Sequence, residues 1–200
     1  MRNFEENYSL VRALHAMPNG DEVDVYINGF PFYSGIRFAQ FTPYIYVPKG
    51  EYIFSVYPKD EKDNPITESK ITVNSEELIT MPIVEIKEGA KLLPIAEEIS
   101  VPCGNNSKFK FVHLSPDAPR INILIENDRV FENVEYQDYT EYEQIDSDEY
   151  KMDIEISENN KIVLSNKVKV NPGKIYTFYA IGNAPNIEII QTLDGATFLN

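Results

Sequence analysis

Residues 23–29 read Val-Asp-Val-Tyr-Ile-Asn-Gly, and residues 121–127 read Ile-Asn-Ile-Leu-Ile-Glu-Asn. Apolar side chains recur at every second position in both stretches, which is the period of a β-strand with one buried face. In the first stretch, Asn28-Gly29 adds the tight-turn signal that closes many β-hairpins. The second stretch begins 98 residues after the first. The two stretches therefore predict the same strand in two copies of one β-module.

The rest of the chain follows the same repeat. At an offset of 98, His15 aligns with His113, Pro18 with Pro116, Val25 with Ile123, Tyr44 with Tyr142 and Tyr52 with Tyr150. One deletion near residues 60–64 changes the offset to 97, which then aligns Val73 with Val170 and Thr80 with Thr177. So many matches with a single gap indicate an internal duplication.

Alternating segments separated by turn residues continue through both copies. They predict strands at residues 44–47, 52–57, 66–73 and 78–86, and again at 109–114, 121–126, 150–156, 161–170, 175–181 and 187–191. Turns every eight to twelve residues or so are typical of sandwiches and barrels. We expect an all-β chain of two tandem sandwich modules, at 1–98 and 108–200, joined by a linker at 99–107.

Composition narrows the classes of partner and compartment. The formal net charge is −14, which disfavours nucleic acid and anionic membrane surfaces as partners. A single cysteine, Cys103, rules out an intrachain disulfide. The first twenty residues lack the pattern of a secretion signal, and no apolar run is long enough for a membrane span. These features predict an intracellular protein without membrane insertion.

The segment at residues 14–29 resembles the repeats of a bacterial family, DUF4397. Those repeats open with a pattern like V-H-A-S-P-D-A-P-x-V-D-V-Y-V-D-G, and residues 112–119 read Val-His-Leu-Ser-Pro-Asp-Ala-Pro. The first copy departs from the pattern at Met17 and at Asn19-Gly20, and the second has Asn122 where the first has Asp24. The resemblance implies immunoglobulin-like sandwiches, often in tandem and often at the cell surface, so a cell-envelope location stays open.

The motif residues are the first candidates for a site. They are His15, Pro18 and Asp24 in the first copy and His113, Ser115, Pro116 and Asp117 in the second. The two histidines could serve as a general base or as metal ligands. Their place beside a proline-rich turn favours a structural role instead, in which the imidazole caps backbone groups of the loop.

Two acidic regions offer further candidates. Asp21, Glu22 and Asp24 could bind Ca²⁺, but no calcium-loop spacing is present, and a solvated strand face is the favoured interpretation. From Glu132 to Glu155 there are ten acidic residues and one basic residue, with Tyr136, Tyr139 and Tyr142 among them. That segment could dock a basic partner or protect a sheet edge from pairing.

Catalytic signatures are weak. The chain has no G-x-S-x-G motif, no phosphate-binding glycine loop and no tryptophan to wall a sugar cleft. We therefore expect a non-enzymatic binding or structural module without metal or cofactor. It would contact a protein or carbohydrate partner, self-associate, or form part of a coat or envelope assembly. The alternative is a hydrolase with carboxylates in a cleft between the two modules.

Overall fold

The computed structural model describes residues 7–199, and its regular elements are seventeen β-strands and one 3₁₀ helix. The first nine strands are β1 Tyr8–His15, β2 Val23–Ile27, β3 Phe30–Ile36, β4 Ile45–Pro48, β5 Gly50–Pro58, β6 Thr67–Val73, β7 Leu78–Ile86, β8 Gly89–Leu92 and β9 Ile95–Ala96. The others are β10 Asn106–His113, β11 Ile121–Ile125, β12 Asp128–Val134, β13 Glu143–Asp146, β14 Glu149–Ile156, β15 Lys161–Lys169, β16 Ile175–Ile181 and β17 Glu188–Leu193, before a 3₁₀ helix at Gly195–Phe198.

The chain divides into two compact units, with the boundary between Ile99 and Ser100. In the first unit, one sheet has the strand order β4-β1-β7-β8, with β9 also paired to β7, and the other has the order β3-β2-β5-β6. In the second unit the orders are β13-β10-β16-β17 and β12-β11-β14-β15. Each strand of the second unit thus takes the place of its sequence equivalent in the first.

Each unit has its own core between two sheets. In the first unit, Val11 and Met81 from one sheet share a cluster with Val25 and Phe54 from the other. In the second unit, Phe111 and Phe178 share a cluster with Ile123 and Ile154 from the opposite sheet. Burial of such side chains supplies about 1.5–3 kcal/mol each relative to exposure. The expected all-β sandwich is therefore confirmed.

The order of the strands within each sheet was not predicted from the sequence pattern. The first strand of each unit pairs in parallel with a late strand, β1 with β7 and β10 with β16. Strands β1 and β2 lie in different sheets. A constant-type immunoglobulin domain instead places its first two strands in one sheet, in the order ABED against CFG. The observed strand order differs from that of a constant-type immunoglobulin domain. The immunoglobulin-like part of the expectation therefore stays a prediction.

Six strands were missing from the expectation, β1, β3, β8, β9, β12 and β13, and two of them, β3 and β12, share a physical reason. Strands β3 and β12 are each the second arm of a hairpin whose two turn residues have positive φ, Asn28 and Gly29 in one unit and Glu126 and Asn127 in the other. Both arms carry a register shift against their partner strand. Such a bulge interrupts the two-residue alternation, so the pattern that predicts a strand is broken there.

Candidate functional site

The two histidines are fully buried and make equivalent contacts. The Nε2 atom of His15 lies 2.9 Å from the carbonyl oxygen of Asp21, and its Nδ1 accepts the amide of Met17 at 3.3 Å. His113 makes the same pair of contacts, to the carbonyl of Pro119 and the amide of Ser115. Because Nδ1 accepts, the proton sits on Nε2 and is donated to the carbonyl. Each imidazole spans the loop that follows its strand.

Burial lowers the pKa of both histidines, although the carbonyl contact opposes this in each case. The rings are therefore neutral at pH 7, and both nitrogens are already engaged. In addition, Phe38 packs edge-on against His15 and Tyr136 against His113, at centroid distances of 6.5 and 6.2 Å. A proton acceptor or a metal ligand needs a free nitrogen facing a ligand, and this arrangement leaves none.

The other motif residues surround the same loop in the second unit. Ser115 is buried and donates its hydroxyl to the carbonyl of Gly182 at 2.6 Å. Asp117 is exposed, and its carboxylate accepts the amide of Ala184 at 2.8 Å. Pro116 is half-buried, as is Pro18 in the first unit. The motif residues thus lie around backbone turns.

Asp24 is not on a solvated face, and that part of the expectation is wrong. The side chain points away from the core as the alternation predicts, but it is only 4% exposed. Its carboxylate accepts the Ser34 hydroxyl at 2.6 Å and the amides of Gly35 and Asp60 at 2.8 and 3.1 Å. Burial raises the pKa of Asp24, but these hydrogen bonds outweigh it and hold the pKa below its usual value. Bulged β3 and the turn after β5 cover this carboxylate.

Glu22 of the acidic loop also has protein partners. Glu22 forms ion pairs with Arg37 at 2.8 Å and with Lys59 at 2.7 Å. Among residues 7–199, no group of three or more His, Cys, Asp or Glu side chains is placed to hold a metal ion. The same described residues include no helix long and apolar enough to cross a membrane.

A buried cation between two aromatic rings recurs in both units. The Arg12 guanidinium lies 4.6 Å from the ring centre of Phe41 and 4.5 Å from that of Tyr44. Lys110 lies over Tyr139 and Tyr142 in the same way, at 5.7 and 4.6 Å. Two of the three tyrosines proposed as an interaction surface therefore contact this lysine, while Tyr136 contacts His113. Tyr139 is 49% exposed.

A carboxylate completes each of these clusters. Glu97 accepts hydrogen bonds from Tyr44 and Thr80 and pairs with Arg12 at 3.3 Å, while Arg12 also donates to Thr80 at 2.7 Å. In the second unit, Asp194 accepts from Tyr142 and Thr177. Arg12, Lys110, Glu97 and Asp194 are all buried. These clusters were not among the predicted sites, although the 98 and 97 offsets align every member with a residue of similar chemistry, including Glu97 with Asp194.

An accessible concave surface lies on the second unit. It is an open depression of about 430 Å³ against β14, β15 and the β11–β12 turn, and we call it the β14–β15 depression. Its lining residues are Glu126, Glu149, Tyr150, Lys151, Ser165, Asn166 and Lys167. A volume of this size falls within the range of small-molecule sites, about 300–1,000 Å³.

The polar groups of the depression are held by short contacts. Two of the lining residues contact the buried carboxylate of Asp153, which accepts the Ser165 hydroxyl at 2.6 Å and pairs with the Lys151 ammonium at 2.7 Å. Burial raises the pKa of Asp153, but these two contacts outweigh it and lower the pKa overall, so the group is ionised. At the rim, Lys167 pairs with Glu149 at 3.2 Å.

Tyr150 is half-buried, and its side chain lies on the same face of β14 as Met152, packed against the core cluster of the second unit. Its hydroxyl donates to the carbonyl of Asp146 at 2.9 Å, which fixes the ring. Burial, together with the carboxylates of Asp148, Asp146 and Glu126, raises the pKa of this hydroxyl. The phenol therefore stays neutral.

The family model described as a domain of unknown function, DUF4397, matches residues 9–124 and 107–198. The chain therefore belongs to the DUF4397 family, as the motif indicated. No curated protein matches the chain.

Two solved structures are similar over nearly the whole chain. One is CBMbc, a family CBM26 module from Eubacterium rectale Amy13K in complex with maltoheptaose, with 8% identity, a TM-score of 0.31, and coverage of 94% of this chain and 99% of that one. The other is described as "Alpha-glucan binding by a streptococcal virulence factor", with 10% identity, a TM-score of 0.27, and coverage of 92% and 95%. TM-scores this low leave function to be argued from the chain's own residues.

Proposed function

We propose that this chain is a non-enzymatic binding module that contacts a carbohydrate or protein ligand through the β14–β15 depression. The observation that supports this proposal most is a contrast between two sets of polar groups, those that are bonded within their own unit and those that line the open depression. Both histidines, Asp24 and the two buried-cation clusters make hydrogen bonds or ion pairs within their own unit. The depression, by contrast, is concave and open to solvent, and most of its lining side chains are polar.

A catalytic role would need a reactive group facing an open site. Nucleophilic or acid–base catalysis requires that group and its partner within hydrogen-bond reach of a substrate. The histidines are buried with both nitrogens engaged, and Asp24 accepts three hydrogen bonds. Asp153, which is buried beside two residues of the depression, is held ionised by Lys151 and Ser165. These contacts favour binding without bond making.

The test is a binding screen on the full chain, with soluble oligosaccharides and immobilised proteins as probes and NMR chemical-shift changes as the readout. We expect a ligand whose addition shifts backbone amides of residues 149–151 and 165–167. Ligands that shift only amides far from these strands would contradict the assignment to this depression. Turnover of any probe would contradict the non-enzymatic part of the proposal.

A further inference from the structure

We propose that the second unit binds the second unit of another copy of this chain, head to tail, through two opposite edges of its sandwich. One edge contains β12 and β13, and the other contains β15 and β17. This contact goes beyond the ligand site proposed above, because it involves edge strands and takes a second copy as the partner. Opposite charges on the two edges, and a different charge pattern in the first unit, support it.

The two edges lie on opposite sides of the second unit. Strands β12 and β13 are the last strands on one side of their sheets, and β15 and β17 are the last strands on the other. The side-chain amide of Gln191 on β17 donates to the carbonyl of Lys169 on β15 at 2.7 Å, which places these two strands side by side. An edge strand has one row of backbone N–H and C=O groups with no neighbouring strand, so it can pair with another chain.

The edge with β12 and β13 is acidic. Residues 132–149 contain eight carboxylates and no lysine or arginine. Two of these carboxylates form ion pairs, Glu135 with Arg120 at 2.7 Å and Glu149 with Lys167 at 3.2 Å. In the part of the chain that the structure describes, the other six are exposed and form no ion pair. They are Glu132, Asp138, Glu141, Glu143, Asp146 and Asp148. Because the carboxylates of this acidic edge repel one another, the edge favours a partner that carries lysine or arginine.

The edge with β15 and β17 is basic. Residues 160–175 contain four lysines and no carboxylate, and β17 adds one carboxylate, Glu188. Lys161 and Lys169 are exposed and form no ion pair with any residue that the structure describes. Ile162, next to Lys161, is 44% exposed and offers an apolar contact. Lysines on an edge strand oppose pairing with a second lysine-bearing strand, but they complement a row of carboxylates. This basic edge is therefore suited to the acidic edge of another copy.

Opposite charges on opposite sides favour a head-to-tail contact. Contact between two acidic edges, or between two basic edges, would bring like charges together. A contact between two different surfaces leaves one edge of each kind open, so copies add in a row and do not close as a dimer. The net charge of −14 repels copies at long range, but physiological salt screens charges that are more than about 8 Å apart and weakens close pairs less.

The first unit lacks this division of charge. Residues 34–51 align with 132–149 at the offset of 98, and they contain one carboxylate and two basic residues. Residues 63–78 align with 160–175 at the offset of 97, and they contain four carboxylates and one lysine. The same strand order thus forms without an acidic edge at β3 and β4 or a basic edge at β6. Because the fold does not need the charge pattern of the second unit, that pattern is available for a contact with another copy.

The experiment measures the average mass of the full chain by sedimentation velocity at rising protein concentration. It is run in about 0.15 M and about 1 M salt, where the screening lengths are about 8 Å and about 3 Å. We expect the mass to rise beyond that of a dimer in the lower salt and to fall towards the monomer in the higher salt. A chain that stays monomeric, or that stops at a dimer, would overturn the inference. A monomeric chain that binds an oligolysine peptide would have a separate basic partner, which also overturns it.

Charge exchange locates the contact. Lys161→Glu with Lys169→Glu places carboxylates on β15, and Glu132→Lys with Glu143→Lys places a lysine on each strand of the acidic edge. Each double variant alone should weaken self-association about tenfold or more, because like charges then meet. An equimolar mixture of the two should associate more strongly than either alone, because the exchanged charges again face each other. A mixture that associates no better than its components would overturn the inference.

A matched control separates this contact from the effect of total charge. Lys49→Glu with Lys87→Glu makes the same change in net charge at two exposed positions of the first unit and should associate like the wild type. A loss equal to that of the Lys161→Glu, Lys169→Glu variant would overturn the inference. Neither Lys161 nor Lys169 lines the β14–β15 depression, so a ligand bound there should keep its affinity in that variant.

Discussion

At the scale of single residues, the two histidines show how a motif can indicate structure instead of chemistry. Each ring joins the end of a first strand to the loop after it, with one nitrogen donating and the other accepting. The departures from the family pattern follow the same geometry. A Cβ added at Gly20 would lie 2.9 Å from the Met17 side chain, whereas the second unit pairs the smaller Ser115 with Ala118. The larger residue at position 17 thus accompanies the smaller residue at position 20.

Protonation of these histidines should destabilise the fold. Burial lowers their pKa in the folded state, so the unfolded chain binds protons first as pH falls. The stability contributed by the neutral rings is complete above the ordinary pKa of about 6.5 and is lost as pH falls below it, by at most about 1.4 kcal/mol per pH unit for each ring. NMR titration of the two imidazoles gives the midpoints directly. A midpoint at or above the ordinary value for either ring would refute this assignment.

Asp24 carries the second residue-scale prediction. Asp24→Ala leaves the Ser34 hydroxyl and two backbone amides without their acceptor, so we expect a loss of about 2–3 kcal/mol in the free energy of unfolding. Asp21→Ala is the control, because Asp21 is exposed and contributes only its backbone carbonyl to the loop. Urea denaturation of both variants measures the difference. Equal stabilities would show that the three contacts at Asp24 contribute nothing net.

At the scale of strands, the alternation predicted the strands with one continuous buried face, such as β2, β5, β11 and β14. The alternation did not predict β3 and β12, because their bulges break the two-residue period. It also did not predict that β3 covers Asp24. Partners distant in sequence decide such burial. The β14–β15 depression could not be predicted either, because it depends on how β14 and β15 pack beside a hairpin turn. The contacts of each histidine join it to a loop close in sequence, which is why a structural role could be suggested from the motif alone.

The strand pairs β5–β6 and β14–β15 contain the same serine-to-carboxylate hydrogen bond, but the serine and the carboxylate have exchanged strands. Ser55 donates to Glu68 in the first unit at 2.8 Å, while Ser165 donates to Asp153 in the second at 2.6 Å, at the same two positions. Ser55→Asp alone places two carboxylates face to face and should cost about 1–2 kcal/mol in stability. Adding Glu68→Ser restores one donor and one acceptor and should recover most of it. Thermal and urea unfolding of the single and double variants form the test, and a double variant no more stable than Ser55→Asp would argue against this pairing.

At the scale of the whole molecule, charge sets which partners can approach. Residues 1–106 and 107–200 each contain 16 acidic and 9 basic residues, so neither half supplies a net basic surface. We expect no binding to duplex DNA or to anionic vesicles at low salt, where electrostatic attraction is strongest. Added salt should raise the midpoint of thermal unfolding, because it screens the repulsion among excess carboxylates. Co-sedimentation and electrophoretic mobility at low salt check the first expectation, and a salt series of unfolding curves checks the second. Salt-sensitive DNA binding would mean that a local cluster of lysines overrides the total charge.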